Sequence, residues 1–348
     1  MKKMSLIFSF VLAVLLVSFL TSESCYGQTQ ASKKPISWRL RTYTSGVTST
    51  EVIMAREFAK KMHERTKGRL EIKVLEAGTL GYSGFEIHKV VGDRLLEMAI
   101  AMAGGIGTEM PAFAVSELPF MFSDWKPEWN KIAPRLAVEE AEPILQEMAG
   151  KMKLVYFNYQ HLPDALPGKK KVAKVEDWKG LKLRSWSPYI AATGKALGAS
   201  TITVPYADMY TAFATNIIEA NCGETKAVLD MKLHEVLKFV NLWPVDSAHA
   251  VIVVNQAAWK ELDKDLQNIL AQSLKELSHA AYEAYWTGEW KAQQEAEKMG
   301  VQIVKVAPEE IAKARAIVKK AVWEPWLNQS GDTGKKLFDI MMKYETIK

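Results

Sequence analysis

The stretch Asp177–Pro188 reads Asp-Trp-Lys-Gly-Leu-Lys-Leu-Arg-Ser-Trp-Ser-Pro. Leu181 and Leu183 alternate with Lys182, the spacing of a short strand with one buried face. Ser187 and Pro188 suit the cap and the first position of a following helix. A strand feeding a helix this closely is the repeating step of an α/β protein. It leaves Arg184 at the carboxyl end of the strand, beside a helix N-terminus where negative charge is favoured. The planar guanidinium can hold a carboxylate through two parallel hydrogen bonds. On these residues alone, a structural arginine paired with a nearby Asp or Glu is an equal alternative.

The same alternation runs on either side. Ile36–Thr42 reads as a strand, and a helix capped by Ser49 runs to about Lys67, with Val52, Ala55, Phe58, Ala59 and Met62 on one face. Leu70, Ile72 and Val74 alternate as a strand, which Gly78–Gly81 breaks. Phe85–Val91 suits a short helix, and Met98–Met102 a buried strand stopped by Gly104–Gly107. Leu154–Phe157, Leu181–Leu183 and Thr201–Val204 continue the pattern, the last two leading into helices. The expectation is an α/β fold with largely parallel sheets, and such sheets bind ligands beyond the carboxyl ends of their strands. The segment Asp263–Met299 differs: it has no proline, one glycine (Gly288), and Leu266, Leu270, Leu274, Leu277, Ala281 and Ala284 at helical spacing. A helix of that length, roughly 55 Å, is longer than one domain is wide and is suited to lie across two. Val301–Val306 then reads as an edge strand, and Pro308 opens another helix.

With 348 residues, 48% hydrophobic and 24% charged, the chain is long enough for about two domains, which excludes a disordered tail or a disulfide-stapled mini-protein. Residues 1–27 read as a signal peptide: Lys2 and Lys3, then an apolar run from Ser5 to Leu20 that is short for a membrane span, then small polar residues to Gly27. Its removal takes Cys25 with it and leaves Cys222 alone, so no intrachain disulfide is expected. No later apolar run is long enough to span a bilayer, so a bacterial exported protein without membrane insertion is expected. The net charge of +5, with both signs interleaved, argues against nucleic acid as a partner.

Catalytic signatures are missing. There is no H-E-x-x-H, C-x-x-C, Walker loop or G-x-S-x-G, and Gly104–Gly107 lacks the third glycine of a dinucleotide fingerprint. Cys222 with His249 or His234 as base makes a poor nucleophile case without a surrounding signature. The reading is therefore capture of a ligand, not an enzyme. An exported enzyme using the same cleft, or a sensor receptor presenting its closed form to a signalling protein, are the alternatives.

The Asp177–Arg184 segment resembles the "D-x-K-G-L-K-x-R" signature of the DctP-type solute receptors of tripartite ATP-independent periplasmic (TRAP) transporters. Further segments are similar to that family: the glycine-rich Gly78–Gly84, Phe113–Phe122, Leu197–Ala199 through Pro205 to Ala212, and Val253–Trp259. The resemblance covers essentially the whole mature chain. It implies a two-lobed α/β fold like that of periplasmic binding proteins, with hinge strands and the long helix bridging both lobes. The first lobe would comprise 36–159 and 248–288, the second 160–247 and 289–348. It further implies a periplasmic receptor that captures a carboxylate-bearing organic acid between the lobes and delivers it to the TRAP membrane permease.

By the resemblance, Arg184 binds the ligand carboxylate. Trp186, Tyr206, Asn221 and Glu224 would face the ligand from the second lobe, and Tyr43, Thr44, Tyr82 and Gly104 from the first, with Trp243 a further aromatic candidate. Gly223 stands where some members have a ligand-contacting asparagine, which makes Asn221 and Glu224 the neighbouring substitutes. No cofactor is expected. A cation beside the ligand carboxylate is conceivable from relatives, with Glu224 as its candidate ligand.

Overall fold

The computed structural model describes residues 34–122 and 133–345. The expected signal peptide, residues 1–27, lies outside the described residues.

Among the described residues, nine strands form one hydrogen-bonded sheet. On one side lie β1 (Ile36–Arg41), β2 (Leu70–Leu75) and β3 (Met98–Met102), with β1 parallel to both neighbours. Helix α1 (Thr50–Thr66) packs on this side; the Ser49 side chain caps it by accepting from Val52 N, as the sequence indicates. Helix α2 (Ile87–Gly92) leads towards β3, and α3 (Ala103–Ile106) leaves its end. A 3-10 turn (Pro111–Glu117) and helix α4 (Ala133–Lys151) complete the first lobe.

Two long strands carry the chain between the lobes. β4 (Leu154–Gly168) and β8 (Phe239–Asn255) run antiparallel along most of their length. At its far end β8 pairs antiparallel with β3. The largely parallel pairing expected from sequence is thus interrupted by antiparallel pairs at the centre. Nor does the strand starting at Leu154 end at Phe157. It continues to Gly168, with register shifts between Gln160 and Pro163 and again between Asp164 and Leu166. Proline lacks the N–H a regular ladder needs, and such irregularities are where a strand tolerates it.

The second lobe repeats the parallel pattern. β5 (Lys182–Ser185) lies between β6 (Ser200–Thr203) and β7 (Ala220–Asn221), parallel to both. Its helices are α5 (Pro188–Ala196), α6 (Met209–Ala214) and α7 (Thr225–Asp230). Val204, Met209, Phe213, Ile218, Val228, Leu233 and Val240 form a small core of this lobe. The larger core runs from Leu40 and Phe58 through Ile252 on β8 to Trp178 and Leu183.

After α8 (Gln256–Glu261), α9 (Lys264–Lys298) is unbroken for 35 residues, roughly 52 Å at the helical rise. Asp263 caps it, accepting from Leu266 N at 2.8 Å. It packs on α1 of the first lobe, on β4, and on α7 of the second lobe, so it bridges both as its length suggests. β9 (Gln302–Lys305) adds to the outer part of β8.

The terminal helices depart from the expected division. α10 (Pro308–Val318) touches the second lobe, where Val175 N donates to Glu310 Oε2 at 2.8 Å. α11 (Glu324–Glu345), broken by a kink at Gly331, packs instead on α4 and on the Pro111–Glu117 turn of the first lobe. Trp323 and Trp326 donate to the carbonyls of Pro119 and Pro111 at 2.9 and 2.8 Å. Residues 289–348 thus make contacts with both lobes, and the two buried indoles satisfy their N–H groups on carbonyls of the first.

Candidate functional site

Arg184 lies on the middle strand of the second lobe's parallel trio, and each neighbouring strand supplies an acceptor for its side chain. Nε donates to Val204 O, just past β6, at 2.8 Å. Nη1 donates to Asn221 Oδ1, on the residue paired with Arg184 across β7, at 3.0 Å. The side chain is buried, Nη2 has no hydrogen-bond partner, and among the described residues no carboxylate forms an ion pair with it. Two of the five guanidinium N–H groups are used on Val204 O and Asn221 Oδ1, and the Tyr43 side chain also bonds the guanidinium; the N–H groups left over suit a carboxylate. The two acceptors bonded to the guanidinium are neutral, and burying a cation is costly without a countercharge. Ser187 caps α5 beside it, accepting from Ile190 N at 3.2 Å, and Pro188 is the first helical residue.

Arg184 faces a cavity of about 50 Å³ lined by Tyr43, Thr44, Met102, Arg184, Trp186, Tyr206 and Asn221, together with the segment 222–224 and Ala227. Seven of the ten sequence candidates are therefore gathered around one space: Tyr43, Thr44, Arg184, Trp186, Tyr206, Asn221 and Glu224. Tyr43 and Thr44 come from the loop after β1, and the rest of the seven from the second lobe. Tyr43 and Tyr206 meet edge to face across the gap, with centroids 6.4 Å apart. Trp186 is fixed by donating from Nε1 to Cys222 O at 3.1 Å. Gly223 is needed here for close approach: a Cβ would overlap Asn221 Nδ2 and turn the amide away from Arg184.

Burial pushes the Tyr43 hydroxyl above its ordinary pKa, against the opposing pull of Arg184. Burial, helped by the charges of Glu224 and Asp230, pushes Tyr206 well above its own. Both phenols are neutral at physiological pH and can donate to an acceptor on a bound solute. Glu224 brings one carboxylate to the cavity wall. Among the described residues no group of three or more His, Cys, Asp or Glu side chains converges to hold a metal, so the geometry provides no formed cation cage around Glu224.

Three candidates lie elsewhere. Trp243 is fully buried in the core, edge-on to Phe120 and Trp178, and donates to Val172 O at 2.8 Å. Tyr82 is 42% exposed, outside the cavity. Gly84 in the same loop packs over the Tyr43 ring and leaves no room beneath it. Gly104 is buried without lining the space. Its N–H donates to Glu117 Oε2 at 2.7 Å, and a side chain there would overlap that carboxylate. Glu117 also accepts from His249 N at 3.2 Å. His249 in turn shares hydrogen bonds with Ser116 Oγ at 2.5 Å and Asn158 Oδ1 at 3.1 Å. Neither His249 nor His234 lines the cavity that Cys222 lines, so the nucleophile–base pairing has no geometric support.

Sequence reasoning passed over Met102 and Ala227. Met102 is the last residue of β3, two positions before the glycine-rich break at Gly104. Ala227 lies three residues beyond Glu224, the spacing that shares a helix face.

The profile of DctP, bacterial extracellular solute-binding protein family 7, matches residues 42–329. The chain belongs to this family. The 2,3-diketo-L-gulonate-binding periplasmic protein YiaO of Escherichia coli (strain K12) is 27% identical over 236 residues, covering 67% of this chain and 70% of that protein. The sialic acid-binding periplasmic protein SiaP of Vibrio cholerae is 21% identical over 244 residues, covering 68% and 73%. Among solved structures, a Bordetella pertussis extracytoplasmic solute receptor binding pyroglutamic acid superposes with a TM-score of 0.82 at 21% identity, covering 88% of this chain and 99% of that one. A TRAP periplasmic solute-binding protein from Xanthobacter autotrophicus Py2, with bound β-D-galacturonate, gives 0.78 at 19% identity, covering 89% and 100%. These likenesses establish the two-lobed DctP fold, and the family is one of solute receptors. No described helix of this DctP-family chain is long and apolar enough to cross a membrane.

Proposed function

We propose that this protein is the periplasmic receptor of a TRAP transporter. It captures a compact organic acid by its carboxylate between the two lobes and delivers it to the membrane permease. The observation that carries this reading is the buried Arg184 guanidinium, held by two neutral acceptors and turned with unused N–H groups towards the cavity. A bound carboxylate would supply the missing countercharge, and closure of the lobes around it would strengthen the pair by excluding water. Trp186, Tyr206, Tyr43 and Met102 form a largely apolar wall for the body of the solute, with Asn221, Thr44 and Glu224 as polar contacts. One water needs about 10–15 Å³ by the same measure of space, so a cavity of this size suits a small acid better than a peptide or an oligosaccharide.

The relatives' solutes support an acid: 2,3-diketo-L-gulonate, pyroglutamic acid and galacturonate each carry one carboxylate. Release from the permease-docked receptor then needs only reopening of the cleft, with no chemical step. The test is thermal denaturation with pyroglutamate, orotate, D-glucuronate and D-galacturonate, each beside its uncharged carboxamide. An acid at a hundred times its dissociation constant should add about 2.7 kcal/mol of stability. Equal stabilisation by acid and amide would refute carboxylate recognition, and conversion of the bound acid would point to an enzyme.

A further inference from the structure

Helix α7 begins directly after Glu224, at the edge of the cavity, and its first turn is pinned from behind. Glu289 is buried on the long helix α9 and accepts from Thr225 N at 2.9 Å and Lys226 N at 3.2 Å. From that fixed turn the Lys226 side chain reaches in two directions. Nζ donates to Asp230 Oδ1 and Oδ2, one turn on, at 2.7 and 2.8 Å. It also donates to Thr48 O at 3.3 Å. Thr48 belongs to the first lobe, on the same loop that brings Tyr43 and Thr44 to the cavity. The pair is well shielded, with the Lys226 and Asp230 side chains 24% and 13% exposed.

We propose that Lys226 is a clasp across the mouth of the cleft: a positioning residue, outside the solute's contacts, that favours the closed receptor and prolongs the stay of the solute. This rests on the receptor reading for its purpose, not for its geometry. An ammonium has three N–H groups and no acceptor. Asp230 takes two directions from within the same lobe, and the third is used across the cleft only when the lobes meet. Asp230 also neutralises the ammonium locally, so Lys226 does not compete with Arg184 for an incoming anion. Because α7 is anchored by Glu289, the cost of ordering the clasp is borne by the fold, and the cross-cleft bond contributes to closure with little further loss of freedom.

The test uses the full mature chain with Lys60→Cys and Ile217→Cys, one exposed position per lobe, for spin labelling and distance measurement without solute. Cys222 is buried. A single charge-assisted bond in a partly solvated setting predicts a closed-to-open ratio about three- to tenfold lower in Lys226→Met. Lys226→Arg, which keeps a donor for both partners, should restore most of it. An equal ratio in wild type and Lys226→Met overturns the clasp. With any acid that binds, stopped-flow tryptophan fluorescence should show faster dissociation by the same factor and unchanged association. If no acid binds while the ratio still falls, the receptor reading fails and the clasp stands.

Discussion

Replacing Arg184 with methionine keeps most of the side-chain volume and removes the charge. The solute's carboxylate then loses bonds from Nη1 and Nη2 and remains buried without a partner. Bonds to charged groups contribute about 1.5–3 kcal/mol each, and truncating one member of a buried charge pair costs about 2–5 kcal/mol in all. At 1.4 kcal/mol per factor of ten, that is a loss of about 30- to 4,000-fold in affinity. The upper half is expected here, because Val204 O and Asn221 Oδ1 are neutral and provide no substitute cation. Arg184→Lys should fall between, since a point charge cannot fill both protein acceptors and still offer a forked pair. Calorimetric titration of wild type and both variants with the acid that best stabilises the wild type gives the numbers. Circular dichroism melting separates lost affinity from the cost of leaving Val204 O and Asn221 without their donor, about 1–3 kcal/mol. Binding of the acid by Arg184→Met within threefold of wild type would refute the reasoning, whatever its stability.

Other substitutions probe the neighbours. Gly223→Ala should turn the Asn221 amide away from Arg184 and weaken acid binding about tenfold while the fold melts normally, an expectation that an unchanged titration would contradict. Trp243→Ala should destabilise the protein by about 3–5 kcal/mol in denaturant titration yet leave the affinity of the folded fraction within twofold; a selective loss of binding would return Trp243 to the site. Burial pushes the Glu97 carboxyl up, but hydrogen bonds from the Arg39 side chain and backbone outweigh this and hold it below its ordinary value. A depressed carboxyl contributes stability that is complete above its unfolded pKa and is lost as pH falls through the folded one. Arg39→Met should therefore be less stable than wild type by up to about 1 kcal/mol at pH 7, discounted for the exposure of Arg39. That difference should close as pH drops below the usual carboxylate range, and a pH-independent gap would show that packing of the Arg39 stem is responsible.

Local signals served well where one segment settles its own conformation. Ser49, Asp263 and Ser187 are caps in the structure because each side chain bonds a backbone N–H three residues on. The long helix was legible from its leucine spacing and freedom from proline. β4 is longer than its local pattern suggests, because its extension past Phe157 is held by pairing with β8, which is distant in the sequence. Trp243 and Trp186 look alike in sequence, and what separates them is the carbonyl each indole reaches: Val172 O in the core, Cys222 O at the cavity wall.

By itself the sequence determined the α/β class, the helix spanning both lobes and Arg184 at the carboxyl end of its strand, because periodicity, caps and strand-to-helix steps are properties of neighbouring residues. Only the tertiary structure decided what surrounds that arginine. Val204, Asn221 and Tyr43 are far apart along the chain and meet through strand pairing and lobe contact, and whether a guanidinium is already neutralised depends on distances that no local pattern encodes.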